Sequence, residues 1–151
     1  MTRRRGFTLV ELAVYLGLVA TALTVFAGVE VTAQRAISLQ GALIDVERQA
    51  NEFLGALRGD VEAARRLDLR AAGSELLVER CDGSTVIYRS GERVVLSPKG
   101  SRERDRYPLM RSLRVVRTPA GVRAEALLAR GAVRRRFLRG ATPRLEVARG
   151  R

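Results

Sequence analysis

The sequence contains no histidine and a single cysteine, Cys81. Without histidine, Ser–His–Asp triads, Cys–His dyads and His-ligated metal centres are excluded. One cysteine rules out an internal disulfide framework and any cysteine-cluster zinc site. Lysine is nearly absent too: Lys99 is the only one among 28 basic residues. That bias is the mark of a GC-rich genome before it is a sign of phosphate binding. Aromatic residues make up only 5%, few to stack on bases. Proline does not occur before Pro98, so nothing in the first 97 residues forces a helix to break.

What is present is unevenly distributed. A length of 151 residues allows one ordinary domain with a small appendage. The net charge of +12 invites a nucleic-acid reading, but it averages different regions. Residues 1–100 carry 13 basic and 12 acidic groups, whereas residues 101–151 carry 15 arginines and 4 acids. Arg3, Arg4 and Arg5 open the chain, and residues 7–29 then form a 23-residue apolar run whose one charge is Glu11. The mean hydropathy of −0.05 hides this membrane-grade segment.

As a helix, the run spans about 34 Å, enough for a bilayer core. A secretory signal would have the basic start and small residues near Ala20, Ala22 or Ala27 for cleavage. Arg-Arg-Gly-Phe also bears a faint likeness to a twin-arginine signal. A plain anchor would hold Arg3–Arg5 in the cytoplasm. Both readings leave Glu11 unexplained, because a carboxylate within a span costs a few kcal/mol or more without a partner. Cleavage between Gly6 and Phe7 would supply one. The new α-amine of Phe7, on a neighbouring subunit shifted along the axis, would pair with Glu11 and turn a buried charge into an assembly determinant.

The residues Arg3-Arg4-Arg5-Gly6-Phe7-Thr8-Leu9-Val10-Glu11-Leu12 resemble the class III signal of type IV pilins and type II secretion pseudopilins. In that family a prepilin peptidase cuts after the glycine and methylates the new N-terminal phenylalanine. The resemblance implies Gly6 and Phe7 as processing residues and Glu11, with Phe7, as the registration pair. It implies filament packing by Leu9, Leu12, Leu16, Val19 and Leu23. The partners it implies are other pilins or pseudopilins, the peptidase, and an inner-membrane assembly platform driven by a cytoplasmic ATPase.

Beyond the run, Ala36, Leu39, Leu43, Val46, Ala50, Phe53, Leu57, Val61, Ala64 and Leu67 recur every three or four residues. This is one stripe of an amphipathic helix, with charged and amide side chains on other faces. The spacing predicts a helix from about residue 7 to about residue 67, roughly 90 Å long. Its stripe packs on its own sheet over residues 43–67 and in a filament over residues 7–30. Gly28, Gly41, Gly55 and Gly59 weaken it by about 1 kcal/mol each. The period then shifts towards two. Strands are expected at residues 76–81 and 85–89 about an Asp82-Gly83 turn, and at 93–96. Residues 97–107 read as a loop. Further strands are expected at 113–118, 122–129, 133–138 and 145–147. The fold class is α+β: one long N-terminal helix packed against a small antiparallel sheet domain, with a leader at 1–6, helix halves at 7–29 and 30–70, and a β-rich domain at 71–151.

Residues 53–65 at the helix end and 84–89 in the first hairpin resemble J-type minor pseudopilins and W-type minor pilins. Several departures bear on the subtype. Gly28 stands at the mature twenty-second position, where major pilins usually have proline. One cysteine cannot close the C-terminal disulfide loop of many major pilins. Residues 101–151 hold too few acids for the major pseudopilin's calcium loop. Glu11 is present, although tip-capping pseudopilins typically lack it. A minor subunit below the tip fits best.

No catalytic set emerges, and neither an enzyme activity nor a cofactor is expected. Glu75, Glu79 and Asp82 are spaced as strand and turn charges. Cys81 reads as a half-buried strand residue. The remaining alternative is a DNA-binding role in an uptake pilus, through Arg134, Arg135, Arg136 and Arg139 beside Phe137. Strand alternation argues against it, since three consecutive arginines cannot share one surface. The same charges would blunt an edge strand against open-ended pairing. The expected location is the inner membrane, N-terminus cytoplasmic and β domain outside, then a pilus or pseudopilus.

Overall fold

The computed structural model describes residues 8–143. The chain divides into two compact units, residues 1–40 and 41–151. Helix α1 (Leu9–Glu62) runs from the first into the second. In the first unit its surface is exposed throughout. One 18-residue window reaches a mean hydropathy of 2.1, so the helix is long and apolar enough to cross a membrane. Thr21 and Thr24 donate their hydroxyls to the carbonyls of Gly17 and Ala20, both at 2.8 Å. Their polar groups thus demand no partner outside the helix.

The second unit holds the rest of α1 and eight strands. Strands β1 (Ala64–Arg70), β2 (Glu75–Arg80), β3 (Thr85–Arg89), β4 (Glu92–Leu96) and β5 (Arg102–Arg106) form a five-stranded antiparallel meander. Strands β6 (Met110–Thr118), β7 (Gly121–Arg130) and β8 (Val133–Ala141) form a second, three-stranded sheet. The stripe Val46, Ala50, Phe53, Leu54, Leu57 and Val61 is buried against Leu76 and Val78 of β2, Val86 and Tyr88 of β3, and alternate residues of β6 and β7. Phe53 sits at the centre, edge-to-face with Tyr88 and Tyr107 at centroid distances of 5.4 and 5.0 Å. Each such pair adds about 1 kcal/mol beyond area burial. This is a pilin-like α+β architecture.

Three sequence expectations give way. The helix ends at Glu62 and not near Leu67; Ala64–Arg70 is a strand registered on β2, from Ala64 opposite Arg80 to Arg70 opposite Glu75. Ala64 and Leu67 keep the helical phase by coincidence, and pairing with β2 overrides it. Residues 102–106, expected in a loop, form β5. All five of its residues are charged, three arginines alternating with two acids, with no apolar alternation, yet Arg104 bonds Glu92 and Arg93 bonds Asp105 across to β4. Cross-strand ion pairs define that edge in place of a hydrophobic face. Cys81 is exposed in the turn after β2, which ends at Arg80. The strand expected at 145–147 lies outside the described residues.

Between β1 and β2, the 3-10 turn Ala71–Gly73 brings Gly73 against β6. Gly73 has φ +91°, and an added Cβ would lie 2.5 Å from the Val115 carbonyl oxygen. Gly73→Ala is therefore expected to cost about 2–3 kcal/mol through strain and displaced backbone. A denaturant midpoint indistinguishable from the parent chain would refute this.

Candidate functional site

The start of α1 is built by its own sequence. Thr8 is the cap: its hydroxyl accepts from the Glu11 amide at 3.3 Å. Reciprocally, the Glu11 carboxylate accepts from the Thr8 amide at 2.9 Å and the Thr8 hydroxyl at 2.8 Å. This is a capping box, which satisfies amides the first turn would otherwise leave open. The role of Thr8 was not anticipated above, though Thr-Leu-Val-Glu has the required spacing. No basic group among the described residues pairs with Glu11. The carboxylate therefore heads an apolar helix with hydrogen bonds but no counter-charge among the described residues. Gly6 and Phe7 lie outside the described residues.

Leu9, Leu12, Leu16, Val19 and Leu23 follow at alternating steps of three and four. That spacing places them along one seam of the helix. All are exposed, Leu9 by 85%. Among the described residues nothing covers them.

The arginines of β8 are separated by the pleat. In the β7–β8 register, Arg134 faces Ala129 and Arg136 faces Leu127, while Arg135 faces Leu128 and Arg139 faces Ala124. Leu128 and Ala124 belong to the core, so Arg135 and Arg139 are on the helix side of the sheet. There Arg135 lies 3.9 Å from Glu47 of α1. Arg136 is bound to Glu125 at 2.8 Å. Phe137 turns inward opposite Ala126 and packs against the core. The four arginines thus do not form one surface.

A buried polar centre went unanticipated. Asp60, 4% exposed, projects from the last turn of α1. Its carboxylate accepts from Arg80, from the Tyr88 hydroxyl, and from Arg93 Nε at 2.9 Å. Arg93 in turn reaches Asp105 at 2.7 Å. The register explains the convergence: Tyr88, Arg93 and Asp105 are direct cross-strand neighbours on one face. Burial alone would raise the Asp60 pKa, but the bonds from Arg93, Tyr88 and Arg80 outweigh it and hold the carboxyl below its ordinary range. Burial, then the Asp60 charge, pushes the Tyr88 phenol far up. The cluster is charge-balanced, and both Asp60 oxygens have protein partners, which makes it a clasp between helix and sheet. The sequence signal was Asp60 itself, which stands three residues after Leu57 in the buried stripe.

Among the described residues no group of acids or cysteine has metal-ligand geometry. Comparison of the chain with protein-family models, with curated proteins and with solved structures matches none of them.

Proposed function

We propose that this chain is a minor type IV pilin or pseudopilin, a structural subunit of a pilus, competence or type II secretion machine. It is inserted with Arg3–Arg5 in the cytoplasm and is cut between Gly6 and Phe7 by a prepilin peptidase. The apolar half of the helix then leaves the bilayer for a filament or initiation complex. The Phe7 amine and Glu11 set the register between subunits, and Leu9, Leu12, Leu16, Val19 and Leu23 pack the core.

The observation that carries this reading is an apolar helical surface with none of its membrane-length window buried, headed by one carboxylate with no cation paired to it among the described residues. A surface of that kind needs lipid or other helices, and the carboxylate needs a positive group at the same depth. The class III-like signal before it supplies the means of creating that group. Mass spectrometry of the mature chain from cells containing a prepilin peptidase tests the proposal. The expected N-terminus is Phe7, methylated; an intact leader, or cleavage near Ala27, would refute it.

A further inference from the structure

The positive charge is concentrated in one sheet. Residues 41–109 carry 12 basic and 12 acidic groups, whereas residues 110–141 carry nine arginines and one acid, Glu125. On the five-stranded sheet, charges pair across strands, as in Arg89 with Glu75 and Arg104 with Glu92. The three-stranded sheet has no such balance. Its face away from the helix is fixed by register: Arg114 with Glu125 and Leu138, Val116 with Arg123 and Gly140, Leu127 with Arg136. Arg134 extends the row at the far end of β8, opposite Ala129. Arg136 is taken by Glu125. Arg114, Arg123 and Arg134 are exposed and have no ion pair among the described residues. Among them stand Val116 and Leu138, exposed by 49% and 61%, and apart from Leu96 these are the only exposed large hydrophobics beyond α1 among the described residues.

We infer that this outer face of β6–β8 docks an acidic protein partner, one whose carboxylates alternate with aliphatic side chains. Strands about 4.8 Å apart, with same-face residues about 7 Å apart along each, set the guanidiniums at the spacing of alternate residues on an extended or flat partner surface. Arg114, Arg123 and Arg134 take the carboxylates; Val116, Leu127 and Leu138 take the aliphatic groups. Complementary charge of this kind selects the partner and speeds its encounter.

Nucleic acid suits the face less well. Its apolar groups are aliphatic and cannot stack on bases, and Glu125 stands at its centre. A second copy of the chain fits less well again. Among its described acids beyond residue 40, only Glu79, Asp82 and Glu103 lack a salt bridge. The inference needs only the β domain and holds whether or not the helix enters a filament.

The test uses the full chain in nanodiscs of zwitterionic lipid. A fluorescent peptide of alternating glutamate and leucine is the probe, read by anisotropy. Arg114→Glu with Arg123→Glu and Arg134→Glu is expected to weaken binding at least tenfold, and Leu138→Ser at least threefold. Arg102→Glu with Arg106→Glu, on the edge strand β5, should leave affinity within twofold. Unchanged thermal melts show that these surface variants fold. The inference is overturned by absence of peptide binding, by insensitivity to either face variant, or by equal sensitivity at β5. Tighter binding of a DNA duplex or of anionic vesicles than of the peptide would also overturn it.

Discussion

Replacing Asp60 with alanine is expected to lower the stability of the β domain by about 3–5 kcal/mol, the range for removing one member of a buried ion pair. For a unit of this size that is a fall in melting temperature of about 12 °C or more. The cost comes less from the lost attraction than from what stays behind. Arg93 keeps only Asp105 as a counter-charge, with the Tyr88 hydroxyl at 3.2 Å, and Arg80 loses its carboxylate while its Nε already lacks a partner. Asp60→Asn should cost less, because one oxygen still accepts. A cycle pairing Asp60→Ala with Arg93→Ala should show a coupling of about 1–3 kcal/mol. Thermal unfolding of the full chain in detergent measures all four. A single variant within about 0.5 kcal/mol of the parent would mean the clasp holds nothing.

The same group sets an acid limit. Its folded pKa lies below the ordinary aspartate value, so the unfolded chain binds the proton more readily. The Asp60 contribution is therefore complete above about pH 3.9, the unfolded value, and is lost as pH falls through the folded value. Melting temperature should hold from pH 7 to about pH 5 and then fall, and Asp60→Asn should flatten that fall. An identical acid slope in the variant would assign the loss to other carboxylates.

How much of this was legible depends on how local the signal is. The stripe from Val46 to Val61 announces its packing because apolar residues recur within one element, and Asp82-Gly83 announces a turn between two short strands. Gly83, at φ +82°, occupies that turn. β5 was invisible because Arg-Glu-Arg-Asp-Arg has no apolar period; only its partners on β4 make it a strand. The Asp60 centre joins residues 20, 28 and 33 positions apart, so no window along the chain contains it. The division of the β8 arginines between two faces needed only strand alternation. Which face was outward needed the register, since Arg135 and Arg139 sit opposite the buried Leu128 and Ala124.

Glu11→Ala is expected to leave membrane insertion and cleavage at Gly6–Phe7 intact and to reduce assembly at least tenfold. Insertion rests on the apolar run and the three arginines before it; the substitution leaves the arginines in place and only makes the run more apolar. Assembly is different. If the Phe7 amine enters an apolar filament core, it must find a negative group there or stay outside. Losing that pair by about 3 kcal/mol corresponds to more than a hundredfold in subunit association, so tenfold is a cautious floor. The capping box supplies the control. Thr8→Val removes the cap and both its bonds to Glu11 — apart from the backbone amide's — yet keeps the charge, and should cost about 1 kcal/mol. Quantifying assembled against membrane-bound subunit separates the two roles. A Glu11→Ala chain that assembles normally would end the charge-pair account. Equal defects in both variants would make Glu11 a helix cap and nothing more. A large defect for Glu11→Ala beside a small one for Thr8→Val is what a registration charge requires.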